Sequence, residues 1–363
     1  MKITFAPILF LAFTFLLSCS KEKFRTELEA SDTFHIQNGD YEIPVWVRGN
    51  TASKKIILFV QGGPAGNTMD FATIDYPGWK NTLEKDYAIA YYEQRGTGNR
   101  QGNFSLGESV LDTYVQDLHV VSAFLKKAYG AEIIMMGHSF GGGLTLRYMI
   151  HYGEQGIPEK YISLNGPVTT DESSFVLRWQ FRRDFLLNSA NLEISRGNNV
   201  EQWNEVLIWL NANPLIEKIS GDEPYKLLNQ WNNYVEELIY VYYGERDLKF
   251  KDYMQIFRTP YNPIPAYLGA DFGGDENLGS LILKDEEGYE MITKLGAIDH
   301  QKLLLVTGRF DDICVPEELQ YVYDQIPSPL KQIEVVDYAP SRGSRTRRTR
   351  PACSRGPRSA PCR

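Results

Sequence analysis

Short apolar stretches recur along this chain and predict eight β-strands. They cover residues 33–37, 41–48, 55–60, 87–92, 132–136, 161–164, 303–306 and 332–336. Between them, residues 80–85 predict a short helix and residues 109–129 a long amphipathic one, with apolar positions near helical spacing. Asn38, Gly39 and Asp40 predict a hairpin turn between the first two strands. Strands that alternate with helices indicate an α/β fold with a mostly parallel sheet.

The alternation stops between residues 168 and about 295, where helical patterns replace it. Helices are predicted at residues 200–211 and 225–240, and the region contains Trp179, Trp203, Trp209 and Trp231. We predict a helical insert at residues 169–295 that caps a core built from residues 33–168 and 296–339. Aromatic residues at helical spacing usually pack in a core, so packing is preferred here to a role facing substrate.

The first residues predict a targeting segment. Lys2 precedes an apolar stretch at residues 3–17, which is short for a membrane span, and charged residues follow. The sequence Leu16, Leu17, Ser18, Cys19 resembles the lipobox of bacterial lipoproteins. The resemblance implies a signal peptide at residues 1–18, a lipid on Cys19 and a tether at residues 19–32. We therefore expect an exported protein, periplasmic or on the cell surface, held to the membrane by the lipid alone. A plain secretory signal is the alternative.

Residues 340–363 differ in composition from the rest of the chain. They hold eight arginines and neither Asp nor Glu, although the whole chain has a net charge of −8. The body is rich in residues with AT-rich codons, whereas the tail uses residues with GC-rich codons, and such a tail does not form a packed element. Our hypothesis is that the tail arose from a reading-frame or assembly error. A genuine basic tail is the alternative.

Charge and cysteine content exclude several classes of function. The net charge of −8 argues against a nucleic-acid partner. Cys19, Cys314, Cys353 and Cys362 show neither a disulfide framework nor metal-ligand spacing, so we expect no metal and no cofactor. Cys314 lies in an apolar stretch and is expected in the core.

The motif Gly137-His138-Ser139-Phe140-Gly141 follows a predicted strand and precedes a helical pattern at residues 142–150. A G-x-S-x-G sequence in this position is the nucleophile elbow of an α/β-hydrolase. The turn is tight, so neighbours with side chains would clash and the serine hydroxyl is exposed at the edge of the sheet. We predict Ser139 as the nucleophile and the N–H of Phe140 as one oxyanion donor. The alternative is an ordinary glycine-rich turn.

Two further loops follow predicted strands. Residues 61–66 come after the strand at 55–60, and Gly63 is our candidate for the second oxyanion donor. Asp311 follows the strand at 303–306 and is the candidate acid that would orient a catalytic histidine, with Asp312 as second choice. A plain turn and a loop-capping aspartate are the respective alternatives.

The loop at residues 61–66 and the segment at 93–98 together resemble proline iminopeptidases and related serine aminopeptidases. Those enzymes carry His-Gly-Gly-Pro-Gly followed by Asp-Gln-Arg-Gly-x-Gly, whereas this chain has Gln61, Ala65 and Glu93 at three of the positions. In the elbow, His138 and Phe140 replace Gly and Trp of that family. The resemblance implies an α/β-hydrolase fold, with an eight-stranded sheet and an inserted cap. We interpret Arg95 as a structural residue that braces the loops.

No histidine follows Asp311, although the catalytic order in this fold is Ser, acid, His. The histidines of the chain, which are His35, His119, His138, His151 and His300, are all interpreted as structural. His300 starts the strand leading to Asp311 and is therefore expected at the amino edge of the sheet, opposite the site. We expect a folded but catalytically impaired chain whose native base was lost near residues 340–341, where the foreign tail begins.

The predicted function is that of a serine hydrolase. The resemblance implies an aminopeptidase that acts on short peptides with a free N-terminus. Glu236, Glu237 and Glu245 of the cap are candidate partners for the substrate ammonium group, and the sequence does not favour one of them. The alternatives are a carboxylesterase with an ester substrate and a non-catalytic, ligand-binding pseudo-hydrolase.

Overall fold

A computed structural model describes residues 29–337 except 64–67, 76–77, 97–108, 170–173, 213–280, 283 and 287–288. Several predictions therefore lie outside the described residues. They are the signal peptide with Cys19, the basic tail with Cys353 and Cys362, the helix at 225–240 with Trp231, and the cap acids Glu236, Glu237 and Glu245. None of the helices in the described part of the chain is long and apolar enough to cross a membrane.

An eight-stranded sheet forms the centre of the molecule, with strand order β1-β2-β4-β3-β5-β6-β7-β8. The strands are β1 Ala30–Asn38, β2 Tyr41–Gly49, β3 Lys55–Val60, β4 Ala88–Tyr92, β5 Glu132–His138, β6 Lys160–Leu164, β7 Leu303–Gly308 and β8 Lys331–Val336. Strand β2 pairs antiparallel with β1 and with β4, and the other neighbours pair in parallel. The predicted fold class and all eight strands are confirmed.

Helices flank this sheet. They are α1 Thr68–Ile74, α2 Leu83–Asp86, α3 Val110–Tyr129, α4 Phe140–Tyr152, α5 Phe175–Ser195, α6 Val200–Ala212, α7 Met291–Lys294 and α8 Pro316–Gln325. The Ser109 side chain caps α3 by accepting a hydrogen bond from Asp112 N at 3.1 Å, as expected for a serine at an N-cap. The helix ends at Gly130, which has a φ of 58° and so takes the left-handed conformation usual at this position.

Several element boundaries differ from the prediction, and three of the differences have a clear physical reason. Strand β1 begins at Ala30, inside the predicted tether, because its pairing with β2 continues as far as Gly49. The predicted helix at 80–85 is interrupted at Thr82, between a 3-10 turn and α2. Helix α4 begins at Phe140 rather than at residue 142, so three consecutive glycines lie in its first turns. Glycine normally disfavours a helix, and close packing overrides that preference here.

The sheet is buried on both faces, which explains why its central strands are almost continuously apolar. In β3, Ile56, Leu58 and Val60 belong to the large core formed with α3 and α4. The intervening Ile57 and Phe59 belong to a second cluster on the opposite face. Successive side chains of one strand thus enter two separate cores.

Helices α5 and α6 lie within the range predicted for the cap and have their own apolar cluster. Trp179, Phe185 and Trp203 are buried in it, and Trp209 packs against it. The preferred packing role is therefore confirmed for these three tryptophans. The buried carboxylate of Glu318 in α8 holds the chain where it leaves the sheet for this region, since it accepts bonds from Val168 N and from Thr169 N and Oγ at 2.7–2.8 Å.

Arg95 braces the loop after β4, as its structural interpretation predicted. Its guanidinium donates two hydrogen bonds to Asp117 of α3, at 2.9 and 3.2 Å, and both side chains are buried. The cation lies 4.7 Å from the ring centroid of Tyr41. Burial disfavours the cation, but the hydrogen bonds and charge of Asp117 outweigh that effect and raise the pKa of Arg95.

We predict that Arg95→Met lowers the free energy of unfolding by about 3 kcal/mol, because it leaves the Asp117 charge buried without its cation. Urea unfolding followed by circular dichroism measures the loss. Lys126→Met is the control: Lys126 pairs with Glu159 at 2.6 Å, but the two side chains are 47% and 37% exposed. We expect this control to cost less than about 1 kcal/mol. Equal losses in both variants would contradict the buried-pair explanation.

Candidate active site

Ser139 occupies a strained turn between β5 and α4. Its backbone has φ 53° and ψ −123°, a conformation that a residue with a side chain rarely adopts. The turn is held by hydrogen bonds from Ser139 N to Leu164 O at 2.8 Å and from Gly142 N to Ser139 O at 2.8 Å. This is the local geometry predicted for a nucleophile elbow, at the carboxyl end of a central parallel strand.

The motif requires glycines because neighbouring backbone atoms leave no room for a side chain. A Cβ on Gly137 would overlap the carbonyl oxygen of Gly141, and a Cβ on Gly141 would overlap the carbonyl oxygen of Val60 at the end of β3. Gly142 lies against the backbone of Gly166 in the same way. The first turn of α4 therefore packs directly on the ends of β3 and β6, and no larger residue fits.

The loop after β3 lies against the elbow. A Cβ on Gly62 would be 2.9 Å from the Cβ of Ser139 and 3.0 Å from the carbonyl oxygen of His138. The next residue, Gly63, has a φ of 141°, which favours glycine. Phe140 is the first residue of α4, so its N–H lacks a partner within the helix and lies at the positive end of the helix dipole. The predicted oxyanion loop and the elbow are thus neighbours.

Asp311 is fully buried in the loop after β7. Its Oδ1 accepts hydrogen bonds from Ile313 N at 3.0 Å and from Cys314 N at 2.9 Å. Asn165 Nδ2 donates a short hydrogen bond to Oδ2 of the same carboxylate. Three donors therefore fix the orientation of Asp311. Asp312 is also buried, but its neighbour Asp311 is the residue around which the loop folds.

Asn165 is a site residue that the sequence analysis missed. It follows β6 with a φ of 50°, and its Oδ1 accepts from Gly308 N at 3.2 Å while its Nδ2 binds Asp311. Asparagine tolerates the left-handed conformation, and an Asn directly after a strand and before Gly166 and Pro167 was the available signal. The partner, however, lies 146 positions away in sequence.

Cys314 connects the acid loop with the elbow. The thiol is buried, as predicted, and it lies close enough to the Ser139 side chain for the serine to influence its pKa. Burial raises the pKa of this thiol well above its ordinary value, and the charges of Asp311 and Glu318 raise it further. The group is thus protonated at neutral pH. The contact places the loops of Ser139 and Asp311 side by side.

All five histidines lie in the described residues. His300 precedes β7 and lies at its amino end, as predicted, where it is hydrogen-bonded to Asp299. His119 of α3 bonds Tyr148 Oη at 3.0 Å and stacks on Tyr152, while His35 and His151 are exposed. The ring of His138 lies beside Gly62, and burial lowers its pKa. Among the contacts of the described residues, none joins an imidazole to Ser139 by a hydrogen bond.

In the described part of the chain, no group of three or more His, Cys, Asp or Glu side chains is arranged to hold a metal ion. The site consists instead of a serine at a strained turn, a glycine loop beside it and a buried aspartate. With the strand order of the sheet, this arrangement defines the α/β-hydrolase superfamily.

The chain is similar in sequence to known enzymes. Residues 80–218 match the family model described as serine aminopeptidase, S33. A proline iminopeptidase of Clostridioides difficile (strain 630) is 25% identical over 285 residues, which cover 77% of this chain and 81% of that protein. One from Lacticaseibacillus rhamnosus (strain Lc 705) is 23% identical over 292 residues, covering 79% and 84%. The chain is therefore similar to proline iminopeptidases over most of its length, and its fold is that of the α/β-hydrolases.

The crystal structure of a proline iminopeptidase from Mycobacterium smegmatis superposes with a TM-score of 0.48 and 15% sequence identity, covering 84% of this chain and 89% of that one.

We predict that Asn165→Gly lowers the free energy of unfolding by about 2 kcal/mol, because it removes the hydrogen bond to the buried Asp311 carboxylate and the one from Gly308 N, while glycine keeps the positive φ. Asn165→Ala should cost about 1 kcal/mol more, because alanine is strained in the left-handed conformation. Chemical unfolding of both variants measures the two effects separately. A glycine variant as stable as the parent chain would show that the two side-chain hydrogen bonds of Asn165 contribute nothing to stability.

Proposed function

We propose that this chain is a serine hydrolase that works by acyl transfer. In this proposal Ser139 is the nucleophile, Asp311 is the acid, and the N–H groups of Gly63 and Phe140 bind the oxyanion. The observation that carries the proposal is the strained backbone of Ser139, with φ 53°, packed against the Gly62 loop. Strain of this kind costs of the order of 1–3 kcal/mol and clusters at functional sites.

The geometry supports a specific order of events. The hydroxyl of Ser139 attacks the substrate carbonyl carbon, its proton passes to a base, and a tetrahedral oxyanion forms next to the two backbone N–H groups. As that intermediate collapses, the protonated base gives its proton to the departing amine or alcohol, and an acyl group is left on Ser139. Water then attacks the acyl group while the same base removes a proton from it, and this proton returns to the Ser139 oxygen as the acid product leaves. Asp311 would hold the base in the correct orientation through its fixed carboxylate.

The base is the missing component, and we propose that the chain as written is impaired for this reason. The Cys314 thiol stays protonated because burial raises its pKa, so it is a poor substitute. The chain leaves β8 beside the acid loop, since Arg309 N donates to Val336 O at 2.8 Å and Arg309 is ion-paired with Asp337. A histidine shortly after Asp337 would start from the neighbourhood of Asp311, and the foreign tail begins at this point.

The proposed substrate is a short peptide with a free N-terminus. Support comes from the resemblance of the loops at 61–66 and 93–98 and from the name proline iminopeptidase carried by both relatives. A carboxylesterase is the alternative within the same mechanism. Because the base is missing, the alternative outside this mechanism is a pseudo-hydrolase that binds a ligand without catalysis.

We also propose that the protein is exported and anchored by a lipid on Cys19, with no nucleic acid among its partners. The apolar residues 3–17 and the Leu16-Leu17-Ser18-Cys19 sequence support this.

Cys19→Ser should therefore abolish incorporation of labelled palmitate in a bacterial host and move the protein from the membrane to the soluble exported fraction. Cys353→Ser is the control and should leave both unchanged. Palmitate incorporation that persists in Cys19→Ser would contradict the anchor.

The hydrolase proposal is tested by reading the DNA beyond the codon for Ala339 and comparing the chain as written with the chain in the corrected frame. We expect the corrected chain to cleave a prolyl-arylamide, and the chain as written to be slower by at least about 10³-fold, because loss of a triad member removes most of the rate. Ser139→Ala in the corrected chain is the control and should abolish both turnover and fluorophosphonate labelling.

Each alternative has its own result. Faster turnover of short acyl esters than of the arylamide would favour the carboxylesterase. A corrected chain without labelling at Ser139 would favour the pseudo-hydrolase. Recovery of the same tail in frame would contradict the reading-frame hypothesis, and equal rates in the two chains would contradict the impairment.

A further inference from the structure

Helix α5 of the cap packs directly on the loop that carries Asp311. Phe310 and Val315, which flank the acid, are buried in the apolar cluster of α5 and α6 rather than in the core of the sheet. Asn188 of α5 also donates a hydrogen bond of 2.8 Å to Glu317 at the start of α8. The acid loop therefore has one side in the core and the other in the cap.

Arg182 of α5 reaches two carbonyl groups of this loop. Its Nη1 donates to Asp312 O at 3.5 Å and its Nη2 to Ile313 O at 3.3 Å. The two bonds are long, but they come from a charged donor, which strengthens them relative to neutral pairs. The neighbouring Arg183 of the same helix instead donates to Leu210 O, within the cap.

The two carbonyls belong to the peptide groups that hold the acid. The peptide group between Asp312 and Ile313 donates its N–H to Asp311 Oδ1 at 3.0 Å, and the next one donates the N–H of Cys314 at 2.9 Å. Arg182 thus binds the oxygen ends of the same two peptide groups whose nitrogen ends bind the carboxylate. A cation at one end of a peptide group polarises it and strengthens the hydrogen bond at the other end.

We propose that Arg182 is a positioning residue that acts on Asp311 from the cap, through the two peptide groups between Asp312 and Cys314. The Arg182 cation lies at the oxygen ends of the two peptide groups and the Asp311 carboxylate lies at their nitrogen ends. Each peptide dipole is therefore favourably oriented toward both charges. The orientation of the acid then depends on α5 being in place, so the predicted cap contributes to the site. The role of Arg182 in catalysis rests on the proposed function, whereas its effect on the orientation of Asp311 does not.

Hydrogen exchange measured by mass spectrometry tests the coupling without any need for turnover. In Arg182→Met, the amides of Ile313 and Cys314 should exchange about tenfold faster, because a charge-assisted interaction that closes the turn is lost. Peptides from β5 should exchange at the parent rate. Alkylation of Cys314, followed by peptide mapping, should accelerate by a similar factor.

Three variants separate this role from a general structural one. Arg182→Lys keeps the cation and reaches one carbonyl, so it should restore part of the protection. Arg183→Met removes a cation from the same helix and should leave the exchange of residues 311–314 unchanged. In an Asp311→Asn background, the effect of Arg182→Met should fall to less than about threefold, because the carboxylate charge at the nitrogen ends of the two peptide groups is absent.

The proposal is overturned if Arg182→Met changes nothing, if it accelerates β5 and the acid loop equally, or if its full effect persists with Asp311→Asn. Failure of the hydrolase proposal would leave the exchange result intact, because Ser139 labelling and amide exchange are independent readouts.

Discussion

The strained, positive-φ turn at Ser139 is the constraint on which the rest of the site depends. A serine with φ 53° is stable only where its surroundings compensate the strain. The compensation comes from the position of β5, which pairs in parallel with β3 on one side and β6 on the other. Gly141 lies against the end of β3, and Ser139 N bonds the end of β6, so both neighbouring strands fix the turn.

Two buried carboxylates fix the backbone between the elbow and the start of the predicted cap. Asp311 and Glu318 both lie in the segment after β7, and both are satisfied chiefly by backbone N–H groups, as buried acids must be. Asp311 uses them to fix its own orientation. Glu318 uses them to hold Val168 and Thr169, where the chain enters the cap. The same short segment therefore sets the direction of the acid and the start of the insert.

The parts that could be predicted from sequence are those determined by local pattern. Eight strands and the long helix α3 follow from periodicity, and the elbow follows from glycines between a strand and a helix. The start of α4 was predicted two residues late, because three glycines lower helix propensity and only contacts with Val60 and Gly166 explain why they are helical. Asn165 and Arg182 were missed because their partners lie 146 and about 130 positions away. Such pairings have no local signature.

The geometry of the elbow and the presence of a base are physically independent. Packing of Gly137 and Gly141 enforces the conformation of Ser139, and within the described residues no imidazole is among the atoms nearest to these two glycines. Loss of a histidine would therefore leave the turn, the oxyanion loop and the buried Asp311 essentially unchanged. In the proposed mechanism, activity depends on a base supplied after β8. Arg309 N bonds Val336 O, so strand pairing sets the acid loop beside the end of β8. Three extended residues span about 10 Å, so a base within that distance can reach the space next to Asp311.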